Sequence, residues 1–130
     1  MERIQVFGHR GASAYRPENT IEAFRLAFEQ GVVAIECDIV PTKDGQLVLR
    51  HEADLSETTD VLQKPEFEGR FHSTDLTLTE LQELRAIERL PDWRPGSAKF
   101  DGQFQVPTLR ELLASDFVDG KELIRSEERR

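Results

Sequence analysis

Glu36 and Asp38 stand two residues apart inside the apolar run Val32-Val33-Ala34-Ile35-Glu36-Cys37-Asp38-Ile39-Val40. Side chains two apart on a strand share a face, so both carboxylates emerge together while Ile35, Cys37 and Ile39 point the other way. Two like charges placed side by side repel and lose hydration. A hard divalent cation, Mg²⁺ or Ca²⁺, offsets both at once because it prefers carboxylate oxygens. The other reading is a strand end at the surface with both groups solvated, and spacing alone does not separate the two. His9 and His51 each follow a short apolar β run, which puts both near strand ends. Sites in α/β sheets and barrels assemble at the C-terminal ends of strands. Histidine can act there as general acid or base. Two histidines beside two carboxylates suit metal-assisted hydrolysis, whereas each histidine singly also suits a surface or hydrogen-bonded structural role. Arg10, in the Gly-flanked turn after His9, has the fork to grip a phosphate, or is an ordinary surface arginine. His72, between Phe71 and Ser73 in an irregular stretch, reads as structural.

The elements that must position these residues are legible as changes of period. Ile4-Gln5-Val6-Phe7 is β-rich and ends in the turn Gly8-His9-Arg10-Gly11. Ile21, Phe24 and Phe28, with Ala23 and Ala27 beside them, predict an amphipathic helix. Asn19 is expected as its N-cap with Glu22 reciprocating, and Gly31 as the left-handed residue that ends it. The run from Val32 to Val40 reads as one strand buried on both faces. Lys43-Asp44-Gly45-Gln46 is a turn signal before the β run Leu47-Val48-Leu49. Strand, helix and strand at this spacing make a βαβ unit with Glu36, Asp38, His9 and His51 converging at one end. Further on, Leu81, Leu84 and Ile87 predict a helix within 76–90, capped by Thr79. Residues 91–102 read as loop, a helix starts at Pro107-Thr108, and the charge-rich tail 119–130 is expected to fray.

Composition removes most other classes. The chain has 130 residues, room for one domain, and 38% hydrophobic residues, enough for a core. A formal charge of −8 argues against nucleic acid or an anionic membrane as partner. One cysteine excludes an internal disulfide and a Cys-rich zinc site. No apolar run approaches the ~18–20 residues of a membrane span. The N-terminus lacks an apolar signal region, which makes a cytoplasmic location the default expectation.

His9-Arg10-Gly11, Pro17-Glu18-Asn19-Thr20, Ala23-Phe24, Ile35-Glu36-Cys37-Asp38, Thr42-Lys43-Asp44-Gly45 and His51, in that order, resemble the N-terminal signature of the glycerophosphodiester phosphodiesterase family. The likeness covers 4–60, including Leu55 and Thr58-Thr59. It continues more weakly over 76–113 through Glu88-Arg89-Leu90-Pro91 and Val106-Pro107-Thr108-Leu109. Each motif alone is weak; six in register are a strong signal. The resemblance implies an α/β fold, the N-terminal portion of a (β/α)₈ TIM barrel of the PLC-like phosphodiesterase type with an insertion after the second strand. Residues 1–51 would be the βαβ core, 52–106 the insertion, 107–118 a helix and 119–130 a charged tail. It further implies a phosphoric diester hydrolase that cleaves glycerophosphodiesters to glycerol 3-phosphate and an alcohol. His9 and His51 would be the acid/base pair, Glu36 and Asp38 the holders of a divalent cation, Mg²⁺ or Ca²⁺, and Arg10 the phosphate contact. A whole barrel takes about 250 residues, so a chain of 130 is expected to be a truncated member. The third carboxylate ligand has no counterpart, Glu122 being too close to the terminus to assign. Unpaired sheet edges would favour self-association. The alternative reading is a non-catalytic remnant or binding module that keeps a metal and phosphate half-site.

Overall fold

The computed structural model describes residues 6–125. Strand β1 (Phe7–His9) is followed by helix α1 (Ile21–Glu29) and strand β2 (Ala34–Cys37), and β1 and β2 pair in parallel. This is the expected βαβ unit. The first strand sits later than the sequence pattern suggested, with Ile4 and Gln5 lying outside the described residues. α1 buries Ala23, Phe24 and Ala27, the apolar stripe of the sequence. Phe24 and Ala27 share a core with Ile35 and Cys37 of β2. The helix starts one residue later than expected. Thr20, not Asn19, is its N-cap, its hydroxyl oxygen accepting from the Ala23 N–H at 3.1 Å. Gly31 ends it in the left-handed region, as expected.

The strand expected from Val32 to Val40 is broken at Asp38. β2 ends at Cys37, and β3 (Ile39–Pro41) joins a separate antiparallel pair with β4 (Leu47–Leu49). The cause is local: the Asp38 N–H donates to the Asn19 side-chain oxygen at 3.2 Å, and the Asp38 carbonyl accepts from the Arg50 N–H at 3.1 Å. With its backbone taken by these partners, Asp38 cannot extend the parallel ladder. The β3–β4 turn holds Gly45 at positive φ, and the Thr42 N–H donates to the Gln46 carbonyl at 2.8 Å.

Residues 52–106 close a second core of Leu55, Val61, Phe67, Leu76, Leu81, Leu84 and Val106. β4 is the wall between the cores, because neighbouring strand residues face opposite ways: Val48 belongs to the second core and Leu49 to the first. The helix expected over 76–90 is a single turn, α2 (Leu78–Leu81), capped by Thr77 rather than Thr79 with Glu80 reciprocating. Beyond it Ala86 donates to the Phe104 carbonyl and Ile87 to the Thr58 carbonyl, so the chain runs extended between two neighbours instead of bonding to itself. The stretch read as loop holds one helical turn, α3 (Pro95–Ala98), begun by proline. α4 (Leu109–Leu113) is capped by Thr108 and is shorter than 107–118, which a turn at 116–118 completes as a separate 3₁₀ segment. The tail does not fray throughout: β5 (Glu122–Arg125) pairs in parallel with β2, giving the sheet order β1-β2-β5. Residues 126–130 lie outside the described residues. Among the described residues, no helix is long and apolar enough to cross a membrane.

Gly11 is held at φ +87° with space for hydrogen alone: a Cβ there would lie 2.7 Å from the backbone and Cβ of Ala23. Gly45, at φ +79°, has nothing within 4 Å of that position. Gly11→Ala should therefore cost roughly 2–4 kcal/mol, combining the left-handed penalty with overpacking, and Gly45→Ala only about 1–2 kcal/mol. Urea unfolding of both variants checks this; equal losses would mean that the α1 approach is not tight.

Candidate functional site

The site is assembled where β1, β2 and β4 end. His9 closes β1 and lies in register with Glu36 of β2, so the two are neighbours across adjacent strands. Arg10 follows, its N–H donating to the Glu36 carbonyl at 2.7 Å. Arg10 and Asn19 are the non-glycine residues with positive φ among the described residues, at 60° and 56°, and the Asn19 N–H donates to the Arg10 carbonyl at 2.9 Å. Such strain costs of order 1–3 kcal/mol and concentrates at functional sites.

Asn19 uses both ends of its amide on Asp38. Its Oδ1 accepts from the Asp38 N–H, and its Nδ2 donates to Asp38 Oδ2 at 3.1 Å. Arg10 Nε lies 3.4 Å from the same Oδ2 but is buried without a hydrogen-bond partner. Arg10 Nη1 donates to Glu18 Oε2 at 2.7 Å, and Arg89 Nε donates to Glu18 Oε1 at 2.8 Å. Glu18 is buried, which by itself raises a carboxyl pKa. The Arg10 hydrogen bond and the charges of Arg10, Arg89 and Arg50 outweigh that and hold it below its ordinary value of 4.5. Arg50, 1% exposed, donates from Nε to the Leu49 carbonyl, from Nη1 to that of Thr58, and from Nη2 to those of Glu18 and Asn19. Burial pulls its pKa down to about 10, against the charges of Glu18 and Asp38, so it stays cationic at neutral pH.

His51 follows Arg50, and its Nδ1 lies 3.1 Å from Glu52 Oε1. It lines a cavity of about 250 Å³ together with Glu18, Thr58 and Arg89. His9 borders a different hollow, beside Gly8, Ala12 and Tyr15. The structure thus joins Arg10 and Asp38 in one network, sets Glu36 beside His9, and has His51 and Glu18 line one cavity. His9 and His51 do not line a common cavity among those described. Glu18, Asn19, Arg50 and Arg89 were not singled out as site residues from sequence. The available signals were the motifs Pro17-Glu18-Asn19-Thr20 and Glu88-Arg89-Leu90-Pro91, and Arg50 as a charge directly after the apolar run Leu47-Val48-Leu49.

Whether these residues fit a divalent cation rests on the donor set. The Glu36 carboxylate is half-buried and has no hydrogen bond or ion pair among the described residues. Asp38 keeps Oδ1 outside the Asn19 and Arg10 contacts. No group of three or more His, Cys, Asp or Glu side chains among the described residues is arranged to hold a metal ion. Two carboxylates suit a hard cation that retains waters and takes phosphate oxygens, as Mg²⁺ does.

Residues 9–127 match the model of the glycerophosphoryl diester phosphodiesterase family. A glycerophosphodiester phosphodiesterase of Arabidopsis thaliana is 35% identical over 119 residues, covering 82% of this chain and 31% of its own length. The crystal structure of a glycerophosphodiester phosphodiesterase from Agrobacterium tumefaciens superposes with a TM-score of 0.73 at 26% identity, covering 95% of this chain and 46% of that one. A phosphodiesterase of Oleispira antarctica, solved with the product sn-glycerol-3-phosphate, gives a TM-score of 0.70 at 30% identity over 94% of this chain and 43% of its own. The chain spans about a third of that curated relative and just under half of each of these barrels. Its fold is the N-terminal portion of a (β/α)₈ barrel with an insertion after the second strand, as the sequence resemblance implied.

The Glu18 network generates a pH prediction. A carboxylate with lowered folded-state pKa adds stability above its ordinary value of 4.5, and that stability is lost as pH falls through the folded value. Glu18→Gln replaces the two charged oxygens that Arg10 and Arg89 share with one neutral amide oxygen and an NH2 donor, and should cost on the order of 3 kcal/mol at pH 7. The gap to the parent protein should begin to narrow below pH 4.5, where the unfolded chain's carboxyl takes up its proton, and should close only as pH falls through the lower folded-state value. Urea midpoints at pH 7 and near pH 3 test this, and a gap independent of pH would refute the ionised assignment.

Proposed function

The chain belongs to the glycerophosphoryl diester phosphodiesterase family, and on that premise we propose that its site cleaves a glycerophosphodiester to glycerol 3-phosphate and an alcohol. The observation that carries this reading is the grouping at the strand ends: the His9–Glu36 pair beside Arg10, whose buried Nε has no hydrogen-bond partner, and Asp38. The product bound in the Oleispira antarctica neighbour supports the same substrate class.

Glu36 and Asp38 would hold the divalent cation, Mg²⁺ or Ca²⁺, with Asn19 fixing Asp38 Oδ2. When bound, that cation neutralises phosphoryl charge and lowers the barrier to attack. Arg10, anchored through Nη1 on Glu18, presents its remaining N–H groups to a phosphate oxygen. One histidine of the pair His9 and His51 takes the proton from the attacking hydroxyl as the new P–O bond forms. The other gives a proton to the leaving alkoxide as the old P–O bond breaks. The attacking hydroxyl is the substrate's own glycerol group, and water then opens the cyclic phosphate. Glu52 at His51 Nδ1 orients that ring.

A second reading is favoured by the absence of a three-carboxylate or mixed metal cluster among the described residues: a half-site that binds a cation and a phosphate without turnover. Release of glycerol 3-phosphate from glycerophosphocholine, with and without Mg²⁺ or Ca²⁺, separates the two. Under the catalytic reading, His9→Ala and Glu36→Ala should each lower turnover by roughly 10²-fold or more. Robust turnover abolished in both variants establishes hydrolysis. Cation binding that Glu36→Ala weakens, with no turnover by any of the three proteins, establishes the half-site instead.

A further inference from the structure

Arg50 spends a buried charge in an unusual way. Among the described residues its N–H groups go to four backbone carbonyls, those of Leu49, Thr58, Glu18 and Asn19, and to no carboxylate. These carbonyls belong to three separate segments: the end of β4, the loop after His51, and the loop before α1. Burying a guanidinium costs several kcal/mol, and a neutral apolar residue could have continued the Leu47-Val48-Leu49 run into the core. What the charge secures is therefore to be sought in what those carbonyls hold.

The two contacts of Nη2 are the informative ones. Successive carbonyls of an extended chain point to opposite sides. Here those of Glu18 and Asn19 lie 3.0 and 3.2 Å from a single nitrogen, which the left-handed turn at Asn19, φ 56°, makes possible. The side chains of these same two residues face the site. Asn19 grips Asp38 at its N–H and at Oδ2, and Glu18 grips Arg10 at 2.7 Å. The Arg50 N–H also donates to the Asp38 carbonyl at 3.1 Å. One guanidinium thus fixes the backbone from which both the acidic and the basic arm of the site are aimed.

We infer that Arg50 is the positioning residue of this site: by clamping the Glu18 and Asn19 carbonyls to β4 it aims Asp38 and Arg10 at a common point. The clamp rests on hydrogen bonds alone, while the meaning of that point, a cation beside a phosphate, rests on the function proposed above. A charge effect and a positioning effect have opposite signs. Removing a nearby positive charge strengthens cation binding by carboxylates, whereas releasing the loop weakens it. Arg50→Lys keeps the charge and loses the fork.

The test uses the whole chain with Arg50→Lys, Arg50→Met and Asn19→Gly. Glycine adopts φ 56° without strain, so Asn19→Gly removes the grip on Asp38 and leaves Arg50 in place. Amide hydrogen exchange of Asp38 reads the clamp without any metal. Its protection should fall about tenfold or more in all three variants relative to Gln30, which bonds Leu26 in α1, and Ala86, which bonds Phe104 in the second core. Equal loss at Asp38, Gln30 and Ala86 in Arg50→Lys, meaning general destabilisation, overturns the proposal, as does an unchanged Asp38. In a Mg²⁺ titration, Arg50→Lys and Arg50→Met should both weaken binding about tenfold. Tighter binding by Arg50→Met with Arg50→Lys unchanged would make Arg50 a charge and not a clamp. If the parent chain takes up no Mg²⁺, the cation assignment fails and the exchange data decide the clamp. Should Arg50→Met not fold, Arg50→Lys and Asn19→Gly decide it.

Discussion

Asn19 gives one end of its amide to the backbone of Asp38 and the other to its carboxylate. The pairing removes the Asp38 N–H from the sheet, so the parallel ladder ends at Cys37 and the chain is free to turn into the β3–β4 hairpin. It also ties the loop before α1 to the end of β2, across nineteen positions of sequence. Because Asn19 must sit left-handed to do this, the turn that holds it has to be secured from elsewhere, by Arg10 through its carbonyl and by Arg50 through its guanidinium. Remove the pairing and neither the break in the strand nor the burial of Asp38 has a cause.

Burying Glu18 would drive its carboxyl toward the neutral form were it not for the arginines around it. Glu18 receives one arginine on each oxygen, Arg10 and Arg89, and two hydrogen-bonded charges outweigh its desolvation. Asp38 shares Arg10 at longer range, which leaves Arg10 Nε short of a hydrogen bond. Arg10 is thus held at one end and unsatisfied at the other, an arrangement that the phosphate contact proposed above would use. The single cysteine lies outside this chemistry, since burial, followed by the Asp38 charge, pushes the Cys37 thiol above its ordinary range.

Much of this was written locally and could be read. The period of α1, the glycine that ends it, the turn before β4 and the βαβ unit itself all depend on residues close in sequence or on a repeat of two or 3.6. What escaped depends on partners far along the chain. Leu81, Leu84 and Ile87 have helical spacing, yet the backbone after α2 bonds to Thr58 and Phe104, because the second core is filled from both directions. β5 is charged and near the terminus, and only the parallel edge of β2 makes it a strand. Asn19 carries the cap chemistry, but Thr20 takes the cap once Asn19 is committed to Asp38. Glu18 sits in the motif Pro17-Glu18-Asn19-Thr20 and Arg50 follows an apolar run, but nothing short of the fold shows that they meet.

The insertion after the second strand does more than decorate the barrel fragment. Val48 and Leu49 divide β4 between the two cores, so residues 52–106 cannot shift without moving the strand that leads into Arg50 and His51. The insertion then returns to the site twice: Thr58 offers its carbonyl to Arg50, and Arg89 its guanidinium to Glu18. Arg89 is partly exposed where Arg10 is buried, and both meet the same carboxylate. The carboxylate therefore transmits the position of the outer wall to the arginine at the centre. An insertion packed this way is a constituent of the site, and the reach of Arg10 depends on it as much as on the βαβ unit from which Arg10 comes.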